Sequence, residues 1–279
     1  MSGRFGRIWL RLGISLLLFA PARGGDSHSY DNPLPGDDAT YRPTVVVRKG
    51  PALGTGVIIA SVEGESLILT AAHVVEDPGP LHVELFRYNF GWERTHPAAG
   101  FPRRLRATIA ARDRDADLAV LRVTGERLLP YVARIAPGNA PLAPGTAVTS
   151  IGFDRGERLS GFATRVRRVD RVDMDGGGGD RPFLITENPP EVGRSGGGLW
   201  LADGSLVGVC IARAKLPGGP IWGMHSTVGN VRRLLVQHEN LARLVDRSRP
   251  VAPFPAGVQP TRSIRPLPVD RTSVPVRAK

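Results

Sequence analysis

The chain has few of the residues that would allow cross-linking or membrane insertion. Among its 279 residues there is one cysteine, Cys210, so no disulfide can form within the chain. Cys210 lies in the apolar run Leu206-Val-Gly-Val-Cys-Ile211 and is expected to be a buried small hydrophobe, not a reactive thiol. The main apolar run near the N-terminus, residues 12–20, is far shorter than the roughly 20 residues that a membrane-spanning helix needs.

Lysine is also scarce, although the chain is strongly basic. Only three of its 37 basic residues are lysines, and the formal net charge is +11. The arginines are scattered along the chain and accompany no nucleic-acid-binding motif, which favours a coding bias over a specific nucleic-acid partner. Contact with an anionic surface, through a basic C-terminal tail, stays open as an alternative.

The first 22 residues have the pattern of a secretion signal. Three arginines precede the apolar run 12–20, and Ala20-Pro21-Ala22 supplies an A-x-A cleavage site. An uncleaved N-terminal anchor is the alternative, whereas the lack of a cysteine after the run excludes lipid attachment there. Since an exported protein without disulfides is typical of bacteria, a periplasmic or secreted bacterial location is expected.

Most of the remaining chain consists of short apolar or alternating runs separated by turn residues. Examples are Ser66-Leu-Ile-Leu-Thr70, Leu118-Ala-Val-Leu-Arg-Val123 and Ala147-Val-Thr-Ser-Ile151. Such β-branched runs with Gly and Pro punctuation predict an all-β sandwich or barrel. The proline-rich stretch Ala133 to Pro144 separates two sets of strands, so two packed β units are expected.

The ends of this region differ from its middle. Residues 23–42 are polar and rich in Gly, Pro and Asp, and they are predicted to be a linker. Apolar residues at helical spacing predict one helix over about 230–246, with Asn230 as its N-cap. Residues 247–279 are rich in proline and arginine and predict a disordered or polyproline-like tail.

A serine between glycines, in Gly193-Arg194-Ser195-Gly196-Gly197, is the first candidate for chemistry. A serine nucleophile needs a base to take its proton and an acid to orient that base. His73 follows the apolar run Leu67-Ile-Leu-Thr-Ala-Ala72, and Asp117 directly precedes the run that begins at Leu118.

The same glycine pattern also fits the nucleophile elbow of α/β-hydrolases, which places the acid and then the histidine after the serine. Asp203 and His225 are the residues available for that order. However, Asp203 lies only eight residues after Ser195, and the chain lacks alternating strands and helices. The elbow hypothesis is therefore disfavoured.

Three stretches together, "LTAAHVV", "DADLAVLRV" and "GRSGGGLW", resemble the trypsin-like (chymotrypsin-fold) serine peptidases, and most closely the bacterial HtrA/Deg branch. The resemblance covers residues 43–246. It implies two antiparallel β-barrels, one over about 43–130 and one over about 140–228, followed by the C-terminal helix. The catalytic site would lie in the cleft between the barrels.

By the same resemblance, Ser195 is the nucleophile, His73 the general base and then acid, and Asp117 the residue that orients His73. The backbone N–H groups of Gly193 and Ser195 would form the oxyanion hole. Arg194 departs from the animal enzymes, in which an aspartate at this position pairs with a new N-terminus after zymogen cleavage. The proline-rich tail is too short and biased for the PDZ domain that HtrA-like proteins usually carry.

Residues that would contact substrate can also be named from the resemblance. Pro189 would lie at the base of the S1 pocket, and without an acid there a preference for Lys or Arg at P1 is disfavoured. Ile211, Ala212 and Arg213 would form the pocket wall and pair with extended substrate. Arg213 would narrow the pocket or attract an acid, and His225 would line the pocket or be a structural histidine. A small or aliphatic P1 residue is expected, with an acidic P1 residue as the alternative.

The sequence therefore predicts an exported serine endopeptidase that acts on polypeptides through an acyl-enzyme, with no metal and no organic cofactor. The alternative from another class is a catalytically silent domain of the same fold. Its basic surface and tail would then bind an anionic polymer or an envelope surface.

Overall fold

The computed structural model describes residues 37–92, 95–138, 142–174, 179–215 and 219–248. The predicted signal peptide (1–22), most of the predicted linker and nearly all of the predicted tail lie outside these residues. Within the described ranges, no helix is long and apolar enough to cross a bilayer.

Six antiparallel strands close into a first barrel in the order β1-β2-β3-β6-β5-β4, with β4 pairing back onto β1. The inward faces of these strands carry branched aliphatic side chains, which suit a pleated and buried surface. The strands are β1 (Thr44–Lys49), β2 (Ala52–Val62), β3 (Glu65–Ala71), β4 (Leu81–Leu85), β5 (Arg103–Asp113) and β6 (Leu118–Thr124).

The remaining strands form a seven-stranded second sheet in the order β11-β8-β9-β10-β13-β12-β7. An additional pairing between β11 and β12 closes six of them into a ring, and only the pairing of β7 with β12 is parallel. The strands are β7 (Arg134–Ile135), β8 (Ala147–Asp154), β9 (Arg158–Val172), β10 (Arg181–Thr186), β11 (Gly198–Trp200), β12 (Ser205–Lys215) and β13 (Ile221–Thr227). The predicted all-β fold of two antiparallel barrels is confirmed.

One large cluster of buried apolar side chains spans both barrels, and a smaller separate cluster lies mostly within the second barrel. Leu69 of β3, Ile151 of β8 and Leu234 near the C-terminus belong to the same cluster of buried side chains. Strands such as β3 and β6 are consequently buried on both faces, because one face fills the first barrel and the other is covered by packed neighbours. This contact holds the loops at the barrel ends in a fixed relation to one another.

The expected single helix over 230–246 is wrong in detail, because the segment forms two helices. The helix α3 (Val228–Val236) is capped by Thr227 and not by Asn230, since the Thr227 hydroxyl accepts the Asn230 backbone N–H at 3.3 Å. A non-helical residue, His238 (φ −130°, ψ 80°), precedes the helix α4 (Glu239–Arg247). Two shorter helices, α1 (Asp37–Thr40) and α2 (Arg87–Phe90), occur earlier in the chain.

Two predicted boundaries also need correction. The last residues of the expected linker, Ala39 to Arg42, are buried, because Arg42 donates to the Tyr88 carbonyl at 2.7 Å and stacks on the Tyr131 ring. At the other end, Arg247 completes α4 instead of starting the tail. Ser248 is buried and its hydroxyl accepts the Ser61 backbone N–H at 2.9 Å, so the C-terminal helix returns to the first barrel.

Candidate active site

His73 and Asp117 meet at one end of the first barrel. Strand β3 ends at Ala71, and His73 lies in the 3₁₀ turn Ala72–Val75 that follows it. The Nδ1 atom of His73 lies 2.7 Å from Oδ2 of Asp117, and the other carboxylate oxygen accepts the His73 backbone N–H at 2.9 Å. The backbone contact holds the Asp117 carboxylate beside His73, and the Nδ1 contact with this carboxylate favours the Nδ1–H tautomer, which leaves Nε2 free to accept a proton.

Asp117 adopts an unusual backbone conformation in the turn between β5 and β6. Its φ is +50°, a region that few residues other than glycine visit, and its carbonyl accepts the Ala72 backbone N–H at 3.1 Å. The side chain is only 9% exposed. Strain of this kind is typical of functional sites, where surrounding contacts hold a residue in place.

The two side chains are electrostatically coupled. Burial disfavours the charged imidazolium of His73, but the hydrogen bond to Asp117 and its negative charge outweigh burial, with a smaller contribution from Glu76. The pKa of His73 is therefore raised above its ordinary value of 6.5. The pair is thus able to stabilise a positive charge on His73 once it has taken up a proton.

Ser195 lies in the loop before β11 of the second barrel, and this loop is tied to the first barrel. Its carbonyl accepts the Thr55 backbone N–H of β2 at 2.7 Å. A Cβ added to Gly54 would lie 2.6 Å from the Val74 side chain and 2.9 Å from the Ser195 carbonyl oxygen. Since Val74 directly follows His73, the serine loop and the histidine turn are immediate neighbours across the barrel interface.

The Ser195 hydroxyl donates to the Ile211 carbonyl at 3.3 Å. Between described residues, it makes no hydrogen bond with His73. Hydrogen bonds in catalytic sites without substrate are often long or misaligned and tighten only when substrate binds. Attack by this hydroxyl requires its rotation towards His73.

Glycine is required at two positions beside the serine. Gly193 has a φ of +92°, and a Cβ there would lie 2.8 Å from both the Arg155 nitrogen and the Phe153 oxygen. Gly196 has a φ of +88°, and a Cβ there would lie 2.0 Å from the Thr55 carbonyl oxygen. Each position therefore combines a left-handed backbone with a close backbone approach that no other residue satisfies.

The peptide groups that would form an oxyanion hole are held by their carbonyl ends. The Val192 carbonyl accepts the Arg155 N–H at 2.7 Å, and the Arg194 carbonyl accepts the Gly197 N–H at 2.8 Å. Because a trans peptide points its N–H opposite to its C=O, the amides of Gly193 and Ser195 point away from these contacts. Neither amide donates a hydrogen bond to another described residue.

Thr55 is a site residue that sequence reasoning missed. Its hydroxyl donates to the Gly193 carbonyl at 2.8 Å and accepts the Phe153 backbone N–H at 2.9 Å, and the residue is fully buried. It therefore connects β2 of the first barrel, β8 of the second barrel and the loop that precedes Ser195. Nothing in the local string Gly54-Thr55-Gly56 signals this role.

The residues predicted to contact substrate lie on two segments beside Ser195. Pro189 is half-buried in the segment before the serine loop, while Ile211 is buried and Ala212 is half-buried on β12. From Ala212 to Lys215, β12 pairs with β13 along one edge, and no other described strand pairs with this part. The opposite edge thus has backbone groups available for an extended peptide.

Arg213 is committed to contacts within the chain. Its Nε donates to the Pro190 carbonyl at 2.6 Å, and an Nη atom lies 3.1 Å from the Glu191 carboxylate. The side chain therefore spans from β12 to the segment before Ser195. The carboxylate of Glu191 lies close enough to neutralise part of the charge of Arg213.

His225 has no exposed surface and lies opposite Cys210 on the paired strands β12 and β13. Burial, and secondarily the charge of Arg194, lower the pKa of His225 to about 3, so the ring is neutral. Neither ring nitrogen has a hydrogen-bond partner in the described part of the chain. A Cβ added to Gly223 would lie 3.2 Å from Cε1 of this ring, and the ring is not on the surface of the protein.

Cys210 is also fully buried, and burial raises its pKa to about 12. The alternative elbow triad is not assembled, because Asp203 bonds to Arg134 and to the Ser205 backbone and makes no contact with His225. No cluster of three or more His, Cys, Asp or Glu side chains suited to a metal occurs among the described residues.

Comparison with known proteins agrees with this architecture. The sequence model of the "Trypsin-like peptidase domain" family matches residues 54–209. The chain is 26% identical over 201 residues to "Putative protease Do-like 14" of Arabidopsis thaliana, covering 71% of this chain and 44% of that protein. It is 29% identical over 162 residues to "Serine protease Do-like HtrB" of Bacillus subtilis, covering 56% of this chain and 31% of that protein. The chain thus spans less than half the length of these relatives.

Solved structures with the same fold include the Rv3671c protease from M. tuberculosis. Its active form has a TM-score of 0.57 at 23% identity, covering 78% of this chain and 87% of that one. The MamO protease domain from Magnetospirillum magneticum has a TM-score of 0.54 at 19% identity, covering 69% of this chain and 95% of that one. With its fold and more than half of its length matching the family, this chain belongs to the trypsin-like peptidases, with relatives among the Do-like serine proteases.

Proposed function

We propose that the chain is an exported serine endopeptidase in which Ser195, His73 and Asp117 cleave peptide bonds through an acyl-enzyme. The observation that carries the proposal is the 2.7 Å contact between His73 and Asp117, beside the loop that bears Ser195. A buried carboxylate paired with a histidine next to a serine is the arrangement that activates a hydroxyl for attack.

The proposed chemistry uses side chains and backbone groups of this chain. His73 takes the Ser195 proton at Nε2 while Oγ attacks the scissile carbonyl, and Asp117 stabilises the resulting imidazolium. The carbonyl oxygen becomes an oxyanion, and collapse of the tetrahedral intermediate expels the amine, which receives the proton from His73. Water then attacks the acyl-enzyme with His73 as the base, which releases the second product and restores the Ser195 hydroxyl.

The amides of Gly193 and Ser195 are the proposed oxyanion-hole donors. Neither amide donates a hydrogen bond to another described residue, which supports this role. Donors that are unpaired in the resting protein need no reorganisation when negative charge develops on the substrate oxygen. Removal of one such donor typically lowers the rate by roughly 10²–10³.

For the substrate, we propose an extended polypeptide that pairs with the free edge of β12 near Arg213. The contacts of Arg213 with Pro190 and Glu191 favour a small or aliphatic P1 side chain over an acidic one. Export to the periplasm or the medium is proposed from the pattern of residues 1–22, which precede the described part of the chain.

One observation favours a second candidate, a catalytically silent binding domain. The Ser195 hydroxyl donates to the Ile211 carbonyl and not to His73, which is the geometry that an unreactive serine would have. In that case the arginine-rich surface and tail would bind an anionic polymer or an envelope surface.

Active-site labelling with a fluorophosphonate separates these two candidates. The purified mature protein should be labelled covalently, and Ser195→Ala should not be labelled. Ser205→Ala is a suitable comparison, because it removes a buried hydroxyl on β12 that has no hydrogen-bond partner among the described residues; its product should still be labelled only at Ser195. A well-folded wild-type protein that resists labelling would refute the peptidase proposal and favour the binding domain.

A further inference from the structure

Arg194 lies between the two proposed oxyanion donors, but its side chain points away from them. The side chain is 2% exposed and enters the second barrel. There its Nε lies 2.6 Å from Oδ1 of Asp154, and its Nη1 donates to the Ser150 carbonyl at 3.1 Å. A buried charge is costly unless it is paired and hydrogen-bonded, so these contacts are part of what holds Arg194 in place.

The guanidinium is held on all sides by β8 and β9. One Nη2 hydrogen bond reaches the Ser160 hydroxyl, which itself donates to Oδ2 of Asp154 at 2.5 Å. The guanidinium carbon also lies 4.8 Å from the centre of the Phe162 ring. A planar fork with five fixed donors can satisfy a carboxylate, a carbonyl and a hydroxyl together, whereas a lysine has only a point charge to offer.

The residue after Asp154 contacts the same loop through its backbone. Arg155, with a φ of +51°, donates its N–H to the Val192 carbonyl at 2.7 Å. The hairpin between β8 and β9 therefore holds the loop at two points. Asp154 binds the side chain of Arg194, and Arg155 binds the carbonyl of the peptide whose N–H belongs to Gly193.

We propose that Arg194, through its ion pair with Asp154, is a positioning residue that keeps the Gly193 and Ser195 amides in their donating orientation. This inference rests on the proposed function. In it, an ion pair within the folded chain keeps the oxyanion hole ordered. Since both partners belong to the folded chain, no cleavage is needed to create either of them.

Three variants test the inference. Arg194→Met removes the ion pair and the hydrogen bonds to Asp154, Ser150 and Ser160 but keeps an unbranched apolar side chain. Arg194→Lys retains the charge and loses the fork. Arg42→Met is the matched control, because Arg42 is also a buried arginine that contacts a carboxylate (Asp38, 2.6 Å), a carbonyl (Tyr88, 2.7 Å) and an aromatic face (Tyr131, 4.7 Å).

The first readout is fluorophosphonate inactivation, resolved into the binding constant KI and the rate constant kinact. Arg194→Met should lower kinact by about 10- to 100-fold with KI nearly unchanged, because the loss falls on groups that stabilise developing charge. Arg194→Lys should recover part of the loss. Arg42→Met should stay within about 2-fold of wild type, as its contacts do not involve the serine loop.

The second readout is backbone amide hydrogen exchange of the segment 191–197, measured in proteins that carry Ser195→Ala. Exchange in this segment should be faster with Arg194→Met and unchanged with Arg42→Met. If the segment exchanges equally in both, the inference is wrong. Equal kinact values for wild type and a folded Arg194→Met protein would also overturn it.

The failure of this inference is distinguishable from the failure of the proposed function. A wild-type protein that is not labelled refutes the peptidase proposal, and hydrogen exchange then decides alone whether Arg194 orders the loop. If Arg194→Met does not fold, Arg194→Lys takes its place in both measurements, and a wild-type kinact and wild-type exchange for that variant would contradict the requirement for the fork.

Discussion

Replacement of Thr55 by valine tests whether the first barrel helps to hold the serine loop. Valine has nearly the same shape, so the main loss is the hydroxyl that bonds Gly193 and Phe153. The Gly193 carbonyl and the Phe153 N–H then lack this partner, and each unsatisfied buried group costs about 1–3 kcal/mol. Allowing for partial relaxation, we expect the free energy of unfolding to fall by about 2–4 kcal/mol.

The same change should slow the reaction of Ser195 more than the loss of stability explains. Without the Thr55 hydroxyl, the two peptide groups that flank Gly193 keep the contact of the Val192 carbonyl with the Arg155 N–H and the longer contact of the Arg194 N–H with the Glu191 carbonyl. Because full loss of one oxyanion donor costs roughly 10²–10³ in rate, a loosened donor should cost about 10- to 100-fold.

The assay combines urea unfolding with fluorophosphonate inactivation at a temperature at which all variants are folded. Thr44→Val is the matched control, since Thr44 is also fully buried and its hydroxyl donates to the Thr40 carbonyl at 2.9 Å, away from the serine loop. It should lose stability but label at the wild-type rate. A Thr55→Val protein that is less stable but labels like wild type would refute the reasoning.

Three further outcomes are expected. The inactivation rate should rise with pH through a pKa above 6.5, because His73 must be neutral to accept a proton; Asp117→Asn should remove the raised pKa, and a flat profile would contradict this. Gly196→Ala should prevent folding, while Gly125→Ala, with a φ of +82° but open space, should cost only about 1–2 kcal/mol in a melting experiment. Cys210, whose burial raises its pKa to about 12, should resist thiol reagents until the protein is denatured, and labelling in the native state would disprove its burial.

Local patterns predicted the β-rich fold well and the helical end poorly. Alternation and turn residues indicate strands one at a time, and those strands occur near the expected places. Apolar residues recur at helical spacing on both sides of His238. The sequence pattern therefore gave no sign that the helix expected over 230–246 is interrupted there. The burial of Ala39 to Arg42 was missed for a similar reason, since a short polar segment carries no sign of the surface that will cover it.

The residues predicted to contact substrate were named from their positions in the sequence. Their contacts and their burial depend on neighbouring segments of the fold. Arg213 was considered as a group that narrows the pocket or attracts an acid, and in the structure its side chain contacts Pro190 and Glu191. His225 was considered as a residue that lines the pocket or as a structural histidine, and in the structure it is buried and neutral. Neither environment could be inferred from the strand on which the residue lies.

By itself, the sequence determined the family, the order of the motifs around His73, Asp117 and Ser195, and the division into two β units. These features are short sequence motifs or short hydrophobic periods, which can be recognised without knowledge of the fold. Only the tertiary structure decided what holds the serine loop. The hydroxyl of Thr55 and the carbonyl of Gly193 are 138 residues apart, and Arg194 and Asp154 are 40 apart. Hydrogen-bond partners at such separations are set by strand pairing within the second barrel for Arg194 and Asp154 and by packing between the barrels for Thr55 and Gly193, because only the folded structure brings those atoms within bonding distance.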